Sequence, residues 1–393
     1  MKDDCNSTPD LSIDFNLPII RSSGTNCQNQ VQSQKGTIRL YVENRTGALA
    51  SVVSPLTLAR LQQDYLDGSL LGVPMGDPGV GEHYLNEFVA RVLQLRPQRV
   101  LDVACGTGKS SISIAAHGIE VVGIDPFLKY RQTDEPTGNI NLIAGLFPAD
   151  LGSNLHNFDA TVSHAFLEHC DDPVAILEDM AARTRIGGTI LVAVPDCSYS
   201  IRQADVSMIL HEHRSYFDSA ALMNTALVAG LRDISVSSSM YGGVLYLTAS
   251  VSKADATGSG QKTCQHILTP TLAQKSNLLK FSQMRSRIQL ELEKFESSDE
   301  LRLVYVPHRL VNFIDKPLRA LPIDDSSNFH GQYISGFQHP IQPLEAIRDT
   351  PEAVLIASHS FRKLLETKVK KRWPGVRVIS LTDLLESCTS ITT

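Results

Sequence analysis

The sequence predicts an α/β protein: a doubly wound, mostly parallel sheet of the Rossmann kind, followed by a second, smaller α/β unit. Three observations predict it. First, the short apolar run Arg99-Val-Leu-Asp-Val103 ends in Ala104-Cys-Gly-Thr-Gly108 and passes into the helical stretch Ser110 to Ala116. Second, another apolar run, Val121 to Ile124, ends in Asp125. Third, apolar runs and helical periodicities go on alternating to about residue 250, and they alternate again beyond residue 300. Strand, glycine turn, helix, strand, acid is the layout of a nucleoside-binding unit.

Residues 1 to 35 are polar and rich in Asn, Gln and Ser, a composition that predicts no stable structure. Residues 36–80 form a small N-terminal module. In it Thr37 to Val53 alternates enough for one or two short strands, and Ser54 and Pro55 suit the N-cap and first position of a helix. The main unit spans 81–252. It opens on a helix over Glu82 to Leu95, with apolar residues Leu85, Phe88, Val89, Val92 and Leu93 at helical spacing. Strands are read at 99–103, 120–124, 140–144, 158–163, 188–194, 232–238 and 243–250, with helices near 109–116, 172–184 and 218–229. The last two strands read as an antiparallel hairpin around Ser238 to Gly243. A linker and the long amphipathic helix Thr271 to Glu296 occupy 253–298. The second α/β unit fills 299–393, with strands at 301–306, 354–357 and 376–381 and helices near 308–318 and 359–371.

Composition narrows the function. The 393 residues are 42% hydrophobic and 20% charged, enough for two or three globular domains. A net charge of -6 without an extended basic run argues against a nucleic-acid partner. The tract Lys368 to Arg372 reads as a solvated helix end. No apolar stretch approaches ~18 residues, and the first residues lack a signal-peptide core, so no membrane span is expected. The seven scattered cysteines read as reduced thiols, hence a cytoplasmic expectation.

The turn after the first strand carries the chemistry. Gly106 and Gly108 let the backbone approach a ligand, and Asp125 stands where an acid accepts hydrogen bonds from ribose hydroxyls. The glycine spacing does not fit the dinucleotide fingerprint. Asp102-Val-Ala-Cys-Gly-Thr-Gly108 instead resembles motif I of class I S-adenosylmethionine (SAM)-dependent methyltransferases. The resemblance implies their seven-stranded Rossmann-like sheet and SAM as cofactor. It also implies cofactor-binding roles for Asp102, Ala104, Gly106, Gly108, Asp125 and Pro126. The loop after the fourth strand, with His164 and Phe166, is where the methionine end of SAM rests in that superfamily.

Two further segments are more specific. Phe166-Leu-Glu-His169-Cys-Asp-Asp-Pro173 looks like the post-strand motif of many SAM methyltransferases, and Leu210-His-Glu-His213-Arg-Ser-Tyr-Phe217 resembles the Tyr-His-Glu-His-x-Ser-Tyr-Phe segment of sugar C-methyltransferases. Asp324 to Gly331, His339 to Pro343 and Val354 to Phe361 extend that match into the second α/β unit, so it covers roughly residues 35 to 385. It implies a small-molecule acceptor such as a nucleotide-linked keto sugar. His213 is then the base that removes a proton next to the ketone, with Glu212 its neighbour and His169 a second active-site histidine. An imidazole with a pKa near neutrality suits that task.

The chain departs from that family at three places. Leu210 replaces the tyrosine before His-Glu-His. The two Cys-x-x-Cys pairs of the family's N-terminal zinc module align with Cys27 and Gln30, and with Glu43 and Thr46, so no metal is expected there. Val304-Tyr-Val-Pro-His308 replaces a glycine-rich turn in the second unit, so no nucleotide is expected there. Spacing alone leaves open which of His211 and His213 is catalytic. O- or N-methyl transfer to a secondary metabolite, or a catalytically lapsed SAM-binding scaffold, are the alternative functions.

Overall fold

A computed structural model describes residues 12–19, 35–66, 80–130, 138–252 and 272–389. The chain divides into two compact units, which are not contiguous in sequence. Among the described residues the first takes 41–198 and 212–252, and the second takes 12–40, 199–211 and 272–389. The sequence reading drew its boundaries in chain order. It thereby assigned 12–40 to the N-terminal segments and 199–211 to the main unit, and both group instead with the C-terminal residues.

The N-terminal strands are β1 (Ser12–Pro18), β2 (Lys35–Val42) and β3 (Leu49–Val53). β1 lies inside the stretch expected to have no structure. Its alternation buries Phe15 and Leu17 and exposes Asp14 and Asn16, a period of two that overrides the polar composition around it. The other residues of that stretch up to 34 lie outside the described ones, apart from Ile19.

The first unit is built on a seven-stranded sheet. Its strands are β4 (Arg99–Val103), β5 (Glu120–Ile124), β6 (Ile140–Ile143), β7 (Phe158–His164), β8 (Thr184–Pro195), β10 (Arg232–Ser238) and β11 (Val244–Ser250). The short β9 (Ser215–Tyr216) pairs with β3 instead, Leu49 opposite Tyr216. The strand order is β10-β11-β8-β7-β4-β5-β6. The β4–β8 strands run parallel, and β11 runs antiparallel to both β8 and β10.

Alternate residues feed two cores. Leu101, Val103, Val192 and Val194 pack with the helices Pro173–Arg183 and Ser219–Val228. Val100, Val121, Val162 and Leu191 pack with the helices Val80–Gln94 and Lys109–Ala115. The chain runs β4, β5, β6 to one edge and then returns to β7 on the other side of β4. That reversal opens a crevice outside the carboxyl ends of β4 and β7, where open α/β sheets bind ligands.

The second unit holds a parallel sheet in the order β13-β12-β14-β15, with β12 (Arg302–Tyr305), β13 (Leu321–Ile323), β14 (Ala353–Ile356) and β15 (Arg377–Ser380). The long helix Leu272–Phe295 buries Leu278, Phe281, Met284, Ile288 and Leu292 along one stripe. The helix expected near 308–318 is two short 3₁₀ turns, Pro307–Arg309 and Val311–Phe313. All of Leu310 to Ile314 is buried, so this run has no polar face to offer an amphipathic helix. The Asn312 side-chain amide donates to the carbonyls of Val206 and Ile209, at 2.9 and 2.7 Å, and fastens residues 199–211 to this unit. β13 and the helix Leu381–Thr389 went unread in the sequence. No helix among the described residues is long and apolar enough to cross a membrane.

Candidate active site

The turn after β4 is built on three left-handed residues, Ala104 (φ 57), Gly106 (φ 58) and Gly108 (φ 79). Glycine adopts this backbone without steric cost, whereas alanine at Ala104 is held there by packing and by its N–H donating to Ile124 O at 2.9 Å. A Cβ on Gly106 would meet nothing within 4 Å, so the backbone here faces open space.

The two acids of this region brace the turn. Asp125 accepts from the Gly106 N–H at 2.9 Å through one oxygen and from the Phe127 N–H at 2.7 Å through the other. Pro126 opens the 3₁₀ turn that follows, Pro126–Tyr130. Asp102 points to the opposite face of β4 from Leu101 and Val103. There it accepts from the hydroxyls of Ser110 and Ser111, both at 2.7 Å, and ties the strand end to the helix start. It is 1% exposed, and burial raises its pKa to about 6 against the pull of those hydroxyls.

At the end of β7 the structure separates residues that the sequence grouped. His164 turns toward the helix Val80–Gln94, its ring edge-on to Phe88 at 5.5 Å. Its Nε2 is buried without a hydrogen-bond partner, and burial depresses its pKa to about 4, so it is neutral. Phe166 packs against the core, and its carbonyl accepts from the His169 N–H at 2.9 Å. Both are thus engaged in packing and local turn structure. Tyr84 donates to Gly242 O at 2.8 Å and His83 stacks on Tyr241, so this helix face is fastened to the β10–β11 turn.

His169 and His213 do come together. Their rings meet edge to face, centroids 4.8 Å apart. His169 closes the 3₁₀ turn Leu167–His169, with its Nδ1 lying 3.1 Å from the main-chain carbonyl of Glu212. Nδ1 therefore carries the proton, and Nε2 keeps its lone pair. Its pKa falls to about 4, first through burial and further through the charge of Arg214. The segment bearing His213 is clamped on both sides: Ser51 Oγ donates to the His213 carbonyl, and the Arg214 N–H donates to the Glu168 carbonyl at 2.6 Å. Of Glu212, the main-chain carbonyl is the part that bears on His169. His211 is held elsewhere. It is 3% exposed, with Nε2 2.9 Å from Gly36 O in the second unit. Tyr216 and Phe217 are core residues.

Sequence reasoning missed Glu168. Its side chain is 3% exposed, its Oε1 lies 3.9 Å from His169 Nε2, and its Oε2 is buried without a hydrogen-bond partner. Burial pushes its pKa up to about 8. The available signal was its place beside His169, directly after a strand end. A separate cavity of about 200 Å³ is lined by Tyr41, Arg45, Ser51, Asp171, Arg214 and Phe217 among others, and by none of Glu168, His169 and His213.

Of the zinc-module positions, Cys27 and Gln30 lie outside the described residues. Glu43 and Thr46 form a closed turn. The Glu43 carboxylate accepts from the Thr46 N–H and hydroxyl, both at 2.8 Å, and the Gly47 N–H donates to the Glu43 carbonyl at 2.9 Å. These hydrogen bonds hold the loop.

Residues 81–236 match the family described as Methyltransferase domain. The chain is 31% identical over 111 residues to a ubiquinone biosynthesis O-methyltransferase of Vibrio cholerae, covering 27% of this chain and 45% of that one. It is 30% identical over 120 residues to an O-methyltransferase of Aspergillus nomiae, covering 28% and 53%. The chain thus spans about half the length of these curated relatives. Among solved structures it is similar to the Burkholderia thailandensis 1,6-didemethyltoxoflavin-N1-methyltransferase, at 16% identity and a TM-score of 0.38, covering 55% of this chain and 96% of that one. It is also similar to the magnesium protoporphyrin IX methyltransferase of Synechocystis, at 18% identity and a TM-score of 0.35, covering 50% and 97%.

Proposed function

We propose that this protein is a SAM-dependent methyltransferase acting on a small molecule. In this reading SAM lies across the carboxyl ends of β4 and β5, with Gly106 and Gly108 at its methionine part and Asp125 at the ribose. The match of 81–236 to a methyltransferase domain supports it, as does the open space over Gly106. The acceptor lies against His169 and His213. The observation that carries this is the pairing of two imidazoles, one of them held neutral, at the end of the strand that flanks the cofactor turn. The His213 imidazole takes a proton from the acceptor as the methyl group leaves the sulfonium.

For the acceptor, the Leu210 to Phe217 resemblance supports a carbon next to a ketone, as in a nucleotide-linked keto sugar. His213 then removes the carbon-bound proton, and the carbanion attacks the SAM methyl. The names of the Vibrio and Aspergillus relatives favour a hydroxyl acceptor and an O-methyl product instead. The same imidazole serves either. Incubation in deuterium oxide with a candidate keto sugar, followed by product spectra, separates them. Deuterium at the acidic carbon, lost in His213→Ala, supports carbon methylation. Methyl on oxygen assigns the O-methyl reading, and no SAM binding by calorimetry overturns both.

A further inference from the structure

We propose that Glu168, His169 and His213 form a binding site for one divalent first-row transition ion, of the zinc, cobalt or manganese class, with a coordination position open to an acceptor oxygen. Each residue offers one ligand atom, and these atoms all lie within 4.8 Å of one another. Two imidazoles and one carboxylate are a donor set such ions take readily, and three protein ligands leave room for a substrate oxygen.

Three features argue for a cation beyond mere proximity. Glu168 Oε2 is buried with no hydrogen-bond partner, an arrangement that costs free energy unless a donor or a cation meets it. The Nδ1–H of His169 is directed at the Glu212 carbonyl, at 3.1 Å. This is the arrangement by which a ligating histidine fixes its tautomer and aims the other nitrogen at a metal. The 3.9 Å from His169 Nε2 to Glu168 Oε1 puts that nitrogen on the carboxylate side. The two ligand-bearing segments are themselves joined, since the Arg214 N–H donates to the Glu168 carbonyl. Bond lengths of about 2.1 Å put ligand atoms about 3.3 Å apart in a tetrahedral site. The Glu168–His169 pair, at 3.9 Å, is therefore about half an ångström too wide, and no pair of the three exceeds 4.8 Å.

The inference rests on the acceptor lying at these histidines, and it alters one step. Without the ion, His213 takes the acceptor proton directly. With the ion bound, His213 gives its lone pair to the metal. An acceptor hydroxyl then binds the ion, is acidified by it and releases its proton to water, and its oxygen attacks the methyl group, so the ion belongs with the O-methyl product. One C–S bond breaks, one bond to methyl forms, and no electrons pass to or from the metal.

The test uses the full chain, stripped with chelator and titrated with Co²⁺ by absorption spectroscopy and with Zn²⁺ by calorimetry. SAM affinity is measured on the same samples. We expect one equivalent of tight Co²⁺ with visible d–d bands. Affinity should fall at least 10-fold in Glu168→Gln, His169→Ala and His213→Ala, and stay unchanged in His83→Ala, with SAM affinity unaltered throughout. SAM affinity reports folding, so a variant that loses metal and keeps SAM has lost only the site. No Co²⁺ or Zn²⁺ binding by wild type, or binding that survives all three substitutions, overturns the metal site while leaving methyl transfer standing. Metal binding without SAM binding would instead overturn the methyltransferase reading.

Discussion

The imidazole Nδ1 of His169 and the main-chain carbonyl oxygen of Glu212 lie 3.1 Å apart. The contact joins two segments separated by 43 residues, and it decides what His169 can do. With the proton held at Nδ1, the opposite nitrogen faces Glu168 as an acceptor. Because the partner is a main-chain atom, almost any side chain at position 212 preserves the contact. Glu212→Gln is accordingly expected to change turnover by less than about 3-fold, well short of a general-base loss. A loss of 100-fold would give the Glu212 carboxylate a direct role.

His213→Ala should lower turnover by ~100-fold or more, the usual size of a general-base contribution, and leave SAM affinity unchanged. Single-turnover rates with calorimetry on the same preparations decide it. A parallel loss of SAM affinity would point to a collapsed site.

Asp125→Ala should weaken SAM by ~1.5–3 kcal/mol, the range for hydrogen bonds to a charged group. The variant loses the ribose acceptor, and it also frees the N–H groups of Gly106 and Phe127 that now donate to the carboxylate. An unchanged dissociation constant would remove Asp125 from the cofactor site.

Asp102 makes stability depend on pH. Its folded pKa of about 6 lies above the ordinary 3.8, so between those values the native state holds more protons than the unfolded one. Its contribution is therefore greatest below pH 3.8 and is lost as pH rises through 6, by roughly 3 kcal/mol in all. Asn at this position has no charge to bury. Denaturant unfolding at pH 4.5 and pH 7.5 should show Asp102→Asn gaining on the wild type at the higher pH. Parallel pH profiles for the two proteins would show that the carboxylate is ionised at no cost.

The turn at 43–47 should not need a metal. Glu43→Ala is expected to cost about 1–2 kcal/mol by freeing the Thr46 N–H and hydroxyl. Chelator should change the stability of neither the wild type nor Cys27→Ser. If instead Cys27→Ser destabilises as much as Glu43→Ala, and chelator destabilises the wild type but not Cys27→Ser, the loop carries a metal.

The seven-stranded sheet was legible because each of its inner strands is a short apolar run ending in a turn signal, and buried parallel strands demand that composition. The glycine turn and its acid were legible because positive φ and close approach restrict residue choice. Three things were not. β1 has its period of two inside a polar neighbourhood, and composition averaged it away. Leu310 to Ile314 is too uniformly buried for a helical face to be distinguished from an irregular core segment. Glu168 looked like any acid, because its isolation from hydrogen-bond partners is a property of the packed chain. The surroundings of His211 and His213 likewise arise only on folding: one finds a carbonyl at Gly36, and the other finds a second imidazole.

Residues 199–211 belong with the second unit yet interrupt the first. A gene fragment ending near residue 252 would therefore inherit a passage whose anchor, Asn312, had been left behind. Val206, Met208 and Ile209 would then lie bare four to seven residues before His213. Such a fragment should be sticky and short-lived. Recombination that trades one unit against another must respect both ends of that passage.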